Sequence, residues 1–163
     1  MTHGYMLGEL VRRLSAMPFD EFFRREISGP LEADFYFGLH TAAEQERAAE
    51  LMYPKNLPPV ESPMGLRVFG EGEWGDWVVP SRLAAVVPGA GGVGDALGIA
   101  RVGQIVAMNG QVNGRHYLGT DVIQQATSEQ SYREDKMLGW CRYGLGFGLP
   151  SPEFASPTPC TVH

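Results

Sequence analysis

Apolar residues recur at helical spacing from the start of the chain. Met6, Leu7, Leu10, Val11 and Leu14 fall on one stripe, and Glu9, Arg12 and Arg13 lie away from it. This pattern predicts an amphipathic helix. Pro18 stands at a suitable first helical position, and Phe19, Phe22, Phe23 and Ile27 form a second stripe among Asp20, Glu21, Arg24, Arg25 and Glu26. Three phenylalanines on so short a helix demand a large surface to dock on. Gly29-Pro30 stops it. The run Phe35-Tyr36-Phe37 reads as a short strand. Thr41 and Glu44 form a capping-box pattern for a helix expected to reach about Met52.

Residues 53–80 carry no periodicity. They hold Pro54, Pro58, Pro59, Pro63 and Pro80 with Gly65, Gly70, Gly72 and Gly75, a long loop for a compact domain. Trp74 and Trp77 argue against free disorder there. A helix is predicted from about Asp95 to Asn109, ended by Gly110. Asn113-Gly114 signals a hairpin over 111–118. Thr120 is placed to cap a helix through Ile123 and Ala126, and Ser128-Glu129-Gln130-Ser131 reads as its polar end. Residues 143–149 alternate Tyr143, Leu145, Phe147 and Leu149 with three glycines, which predicts a strand with one bare face.

Composition narrows the function classes. The chain has 163 residues, 44% hydrophobic and 20% charged, enough for a packed core. A net charge of −6 is a poor match to nonspecific nucleic-acid binding, which needs a basic footprint. No apolar run reaches the ~20 residues of a membrane span, and Met1-Thr2-His3-Gly4-Tyr5 lacks the marks of a signal peptide. Two cysteines, Cys141 and Cys160, make no disulfide scaffold. A reduced, cytoplasmic chain without nucleic-acid or membrane partners is expected.

The candidate chemistry is sparse. Gly89-Ala90-Gly91-Gly92-Val93-Gly94 satisfies G-x-G-x-x-G, so Gly89, Gly91 and Gly94 are candidates for a nucleotide-binding loop. Against that, Pro88 interrupts the expected strand, and the acidic residue about 20 positions further on is missing. The other reading is a glycine-rich loop leading into a structural helix. His3, His40, His116 and His163 show no ligand spacing, so neither a metal nor a cofactor is expected. There is no G-x-S-x-G, and no serine is followed three residues later by lysine.

Several segments taken in order resemble the serine β-lactamase-like family, the esterases and hydrolases akin to class C β-lactamases and penicillin-binding proteins. Residues 2–13 look like the helix that follows the family's catalytic tyrosine segment. Residues 22–31 resemble its "FF-R-E-I-x-x-P-L-G" element. Residues 87–92 and 98–101 resemble the loop and helix that usually read "P-A-x-N-G … A-R", which gives the glycine cluster an explanation without a nucleotide. Residues 127–130, 143–147 and 150–154 resemble the stretch before the third catalytic motif. The likeness is patchy over 53–82 and otherwise spans nearly the whole chain. Glu32 stands where the family usually has glycine, and Gly91 where asparagine is common.

The resemblance implies an α+β fold: a mainly helical, partial β-lactamase/transpeptidase-like domain over residues 1–163 with a few short antiparallel strands. It implies a serine acyl-enzyme hydrolase acting on a small-molecule ester or lactam. The S-x-x-K and tyrosine motifs would lie upstream of Met1, and His163 stands where the first residue of an H-x-G third motif would fall. No catalytic set is complete, so the chain reads as a fragment, inactive alone, with self-association expected through uncovered core surfaces. The rival readings are a nucleotide-binding module and a non-catalytic interaction remnant.

Overall fold

The computed structural model describes residues 2–50, 79–135 and 139–152. Most of the 53–80 loop with Trp74 and Trp77, the expected helix end at Met52, and Glu153, Phe154, Cys160 and His163 lie outside them. Two compact units share the chain. One holds residues up to 57 and 73–104, the other 58–72 and 105–163.

In the first unit, helix α1 (Thr2–Ser15) leads through Pro18 into α2 (Phe19–Phe23), which continues as a π-helical turn over Arg24–Ser28. Strand β1 (Phe35–Phe37) follows, then α3 (Ala42–Glu46), α4 (Pro80–Leu83) and β2 (Gly92–Gly94). Helix α5 (Ala96–Ala107) begins in this unit and ends in the second. Strands β1 and β2 pair antiparallel, with Phe35 opposite Gly94 and Phe37 opposite Gly92.

The phenylalanine load of α2 finds its surface on β1. Phe19 and Phe23 each meet the Phe37 ring at 5.0 Å between centroids, and Phe23 meets Phe35 at 5.8 Å, all edge-on. That edge-to-face geometry suits the ring quadrupoles. Phe35 and Phe37 share a strand face because their spacing is two. Phe23, Leu31, Ala33, Leu39 and Leu83 complete the buried set. The Thr41–Glu44 capping box forms as the sequence indicates, Thr41 Oγ1 accepting from the Glu44 N–H and the Glu44 carboxylate accepting from the Thr41 N–H at 2.9 Å. Yet α3 stops at Glu46, well short of Met52.

Helix α1 departs from its sequence pattern. Its packed face carries the small residues Gly4 and Gly8, set against Pro88 and Gly89. A Cβ on Gly4 would lie 2.4 Å from the Gly89 nitrogen. The apolar stripe is instead exposed, from 47% at Leu7 to 79% at Leu14, with Met6 and Leu10 between. Close backbone approach selected the glycine face, and hydrophobicity alone does not report it.

In the second unit, β3 (Gln111–Val112) and β4 (Arg115–His116) form the predicted hairpin, with Asn113 and Gly114 both at positive φ, 52° and 78°. Helix α6 (Thr120–Thr127) takes Gly119, not Thr120, as its N-cap. A three-stranded antiparallel sheet follows, in the order β5 (Ser131–Asp135), β6 (Gly139–Tyr143), β7 (Gly148–Leu149). The predicted strand over 143–149 is therefore corrected to a hairpin. Gly144 N–H donates to the Phe147 carbonyl at 2.9 Å, and Gly146 holds φ at +85°, so the chain reverses between Tyr143 and Gly148. Among the described residues of this unit, Ile105, Val112, Ile123, Cys141 and Leu149 are the buried apolar side chains. Among the described residues, no helix is long and apolar enough to cross a membrane.

Candidate functional site

The glycine-rich segment is the one sequence-predicted site that falls within the described residues. Its approach is not a strand: α4 runs to Leu83 and is followed by coil and a turn. The Gly91 N–H donates to the Val87 carbonyl at 2.7 Å, closing that turn. Gly92 and Gly94 then belong to β2 and lie under the Phe35 ring, where a Cβ would come within 2.5 Å and 2.7 Å of ring carbons. Gly89 is the residue on which α1 rests. Gly91 and Gly94 thus make room for Val87 and Phe35, and Gly89 is the backbone for which Gly4 makes room.

The helix that follows is already supplied with acceptors. The Asp95 carboxylate accepts from the Gly98 N–H at 2.5 Å, and the Asp34 carbonyl accepts from the Asp95 N–H at 3.1 Å. In a dinucleotide fold a pyrophosphate takes those N-terminal donors. Here a carboxylate holds one of them, and its negative charge disfavours a second anion.

Beside β2 lies a hollow of about 480 Å³ lined by Asp34, Tyr36, Leu39, Glu44, Arg47, Val93 and Asp95. A second, of about 520 Å³, shares Asp34, Tyr36, Glu44 and Arg47 and adds Arg24, Ser28 and Glu32. Four of the charged side chains form two ion pairs, and the Glu32 and Asp95 carboxylates stand outside those pairs. Arg47 bonds Asp34, and Arg24 bonds Glu44 at 3.2 Å while its guanidinium stands 5.3 Å from the Tyr36 ring centre. The Arg47 hydrogen bond holds the Asp34 carboxyl below its ordinary range. Glu44 is lowered chiefly by the Thr41 backbone N–H, with Arg24 adding to it.

Ser28 is buried at 2% exposure, and its Oγ has no hydrogen-bond partner. Among the described residues no lysine accompanies it; Lys55 and Lys136 lie outside them. A lone buried hydroxyl lacks the base that activates a serine nucleophile. His40 pairs with Asp20 at 2.8 Å on an exposed surface, and its backbone N–H donates to Glu44. Among the described residues, no group of three or more His, Cys, Asp or Glu side chains is placed to hold a metal. His163 and Cys160 lie outside them.

Two contacts escaped the sequence reading. Arg47 reaches Asp34 thirteen positions back, and Arg101 donates to the Glu32 carbonyl across 69. No local spacing announces either. Glu32 itself holds φ at +52°. Glycine, which usually stands at this position in the family pattern, takes that conformation without strain.

A family model described as Beta-lactamase matches residues 1–155. Esterase/beta-lactamase LipL of Mycobacterium tuberculosis is 24% identical over 168 aligned residues, covering 92% of this chain and 39% of that protein. A crystal structure of a penicillin-binding protein homolog from Caulobacter crescentus superposes with a TM-score of 0.78 at 30% identity, over 97% of this chain and 43% of that one. A family VIII carboxylesterase gives a TM-score of 0.74 at 30% identity, over 93% and 42%. The chain therefore spans about two-fifths of the length of these relatives.

Proposed function

We propose, starting from the fact that this chain belongs to the beta-lactamase family, that it supplies a supporting, mainly helical part of a serine-type hydrolase and turns over no substrate alone. The observation that carries this is the pairing of a match over residues 1–155 with coverage of only 39–43% of the relatives. The absence of S-x-x-K from the sequence supports it, as does the lack, among the described residues, of a lysine or histidine bonded to Ser28. The relatives are described as an esterase/beta-lactamase and a carboxylesterase, so an ester or a β-lactam is the substrate class of the whole enzyme. In such an enzyme a serine attacks the carbonyl, an acyl-enzyme forms, and water releases the acid. Nothing in the described part of this chain provides nucleophile, base and oxyanion donors converging on one carbonyl.

The test is turnover of nitrocefin and p-nitrophenyl esters by the purified chain. Removing the nucleophile alone costs on the order of 10⁶ in turnover in a comparable serine enzyme. The expected rate is indistinguishable from buffer. Turnover that co-purifies with the chain and is blocked by a serine-directed inhibitor would overturn the proposal.

A further inference from the structure

Helix α1 presents three faces of different chemistry. At 100° per residue, Gly4, Gly8, Val11 and Ser15 share one face, and the Pro88–Gly89 turn occupies it. Glu9, Arg12 and Arg13 form a polar face and are tied together at 2.7–2.8 Å. Between these faces runs the stripe Met6, Leu7, Leu10 and Leu14, about 100° wide and without a charge. That is the width and composition of a core-facing stripe, yet its four side chains are 47–79% exposed. The helix has the makeup of an element lying between two layers, with one layer in place.

We infer that this stripe is the seat of a polypeptide carrying the part of a beta-lactamase-type fold that lies outside the stretch this chain matches. The inference rests on the proposed reading of the chain as a portion of a larger hydrolase. One observation selects that occupant over a second copy. Helix α1 belongs to the region that superposes on the longer homologs, while about 57% of the Caulobacter crescentus structure has no counterpart here.

The experiment co-expresses the chain, tagged, with the unmatched residues of the Caulobacter crescentus homolog as a separate polypeptide. Complex formation is read by mass after affinity purification. The expected result is a 1:1 complex whose capture falls at least about tenfold in Leu10→Glu and in Leu14→Glu, the scale set by losing one buried leucine. Ile99→Glu, exposed elsewhere on the unit, should be captured as well as the native chain. Far-UV circular dichroism of the isolated variants should match the native chain, since the stripe is not part of its own core.

Failure of capture, equal capture of the stripe variants, or loss of helical signal in them overturns the inference. So does a native dimer that Leu10→Glu converts to monomer, which would make a second copy the occupant. Binding is read without any turnover. A failed capture is therefore distinct from the finding of activity that would defeat the hydrolase-portion reading.

Discussion

Glu32 offers a direct test of the local physics. Its backbone sits at φ +52°, in the left-handed region where a Cβ crowds the following carbonyl. Its N–H donates to the Gly29 carbonyl at 2.9 Å, and its own carbonyl accepts from Arg101. Both bonds belong to the main chain, so Glu32→Gly keeps them. Releasing the left-handed strain is worth about 1–2 kcal/mol. The extra freedom glycine gives the unfolded chain removes about 0.4–1 kcal/mol of that. The expected net is a stabilisation of about 0.7 kcal/mol, or about 2 °C in midpoint for a chain of this length. Urea titration followed by circular dichroism at low micromolar concentration would measure it. Glu32→Ala is the control, because it discards the carboxylate and keeps the Cβ; it should change little. If Glu32→Ala stabilised as much as Glu32→Gly, the carboxylate and not the backbone would be the source. A loss of stability in Glu32→Gly would refute the strain argument altogether.

Gly4→Val should destabilise by about 1–3 kcal/mol, because its Cβ meets the Gly89 backbone at 2.4 Å, whereas Gly103→Ala, with nothing within 4 Å, should gain up to about 1 kcal/mol in the same titration. The Glu44 pKa is lowered from 4.5, so its cap on α3 is fully present above that value and is lost as pH falls through the lower folded value. The His40 and Thr41 amide shifts should follow that titration by NMR, and a midpoint at the ordinary glutamate value would contradict the capping geometry. NAD, FAD and ATP at millimolar concentration should leave the melting temperature unchanged. A 10 μM site would add about 2.7 kcal/mol at 1 mM ligand, and a saturable shift abolished by Gly91→Asp would restore the nucleotide reading.

What the sequence made legible was local chemistry with a strict geometry. The Thr41–Glu44 box, the Asn113-Gly114 turn and the Phe stripe on α2 each depend on a few neighbouring residues, and each forms. The strand assigned to 143–149 failed because alternating glycines serve a tight reversal as readily as an extended strand, and only φ +85° at Gly146 tells them apart. Strand β5 was missed because Ser131-Tyr132-Arg133-Glu134-Asp135 is mostly polar and largely exposed, so no apolar alternation marks it. The glycine segment fits a nucleotide fingerprint by spacing alone. Its use is set by Phe35 and Gly4, 55 or more residues upstream, which no window around the loop contains.

The same distinction applies to α1. Its apolar stripe is a true signal whose partner is not among the described residues. The stripe's exposed fraction amounts to a little over two whole side chains, so covering it would contribute about 4–7 kcal/mol. Domain stabilities are of the order of 5–15 kcal/mol. One docking event on α1 therefore outweighs any single substitution predicted above, including release of the Glu32 strain. A partner seated on α1 should raise the stability of the whole first unit, because the adjoining face of that helix holds Pro88 and Gly89, which lead into the β2 strand paired with β1 beneath the Phe35 ring. Hydrogen exchange separates the two ways this can happen. With the partner bound, added protection that extends from α1 into β1 and β2 means the unit opens cooperatively. Protection confined to α1 would mean that the helix is docked loosely enough to open alone, and that the Gly4–Gly89 contact does not couple it to the rest.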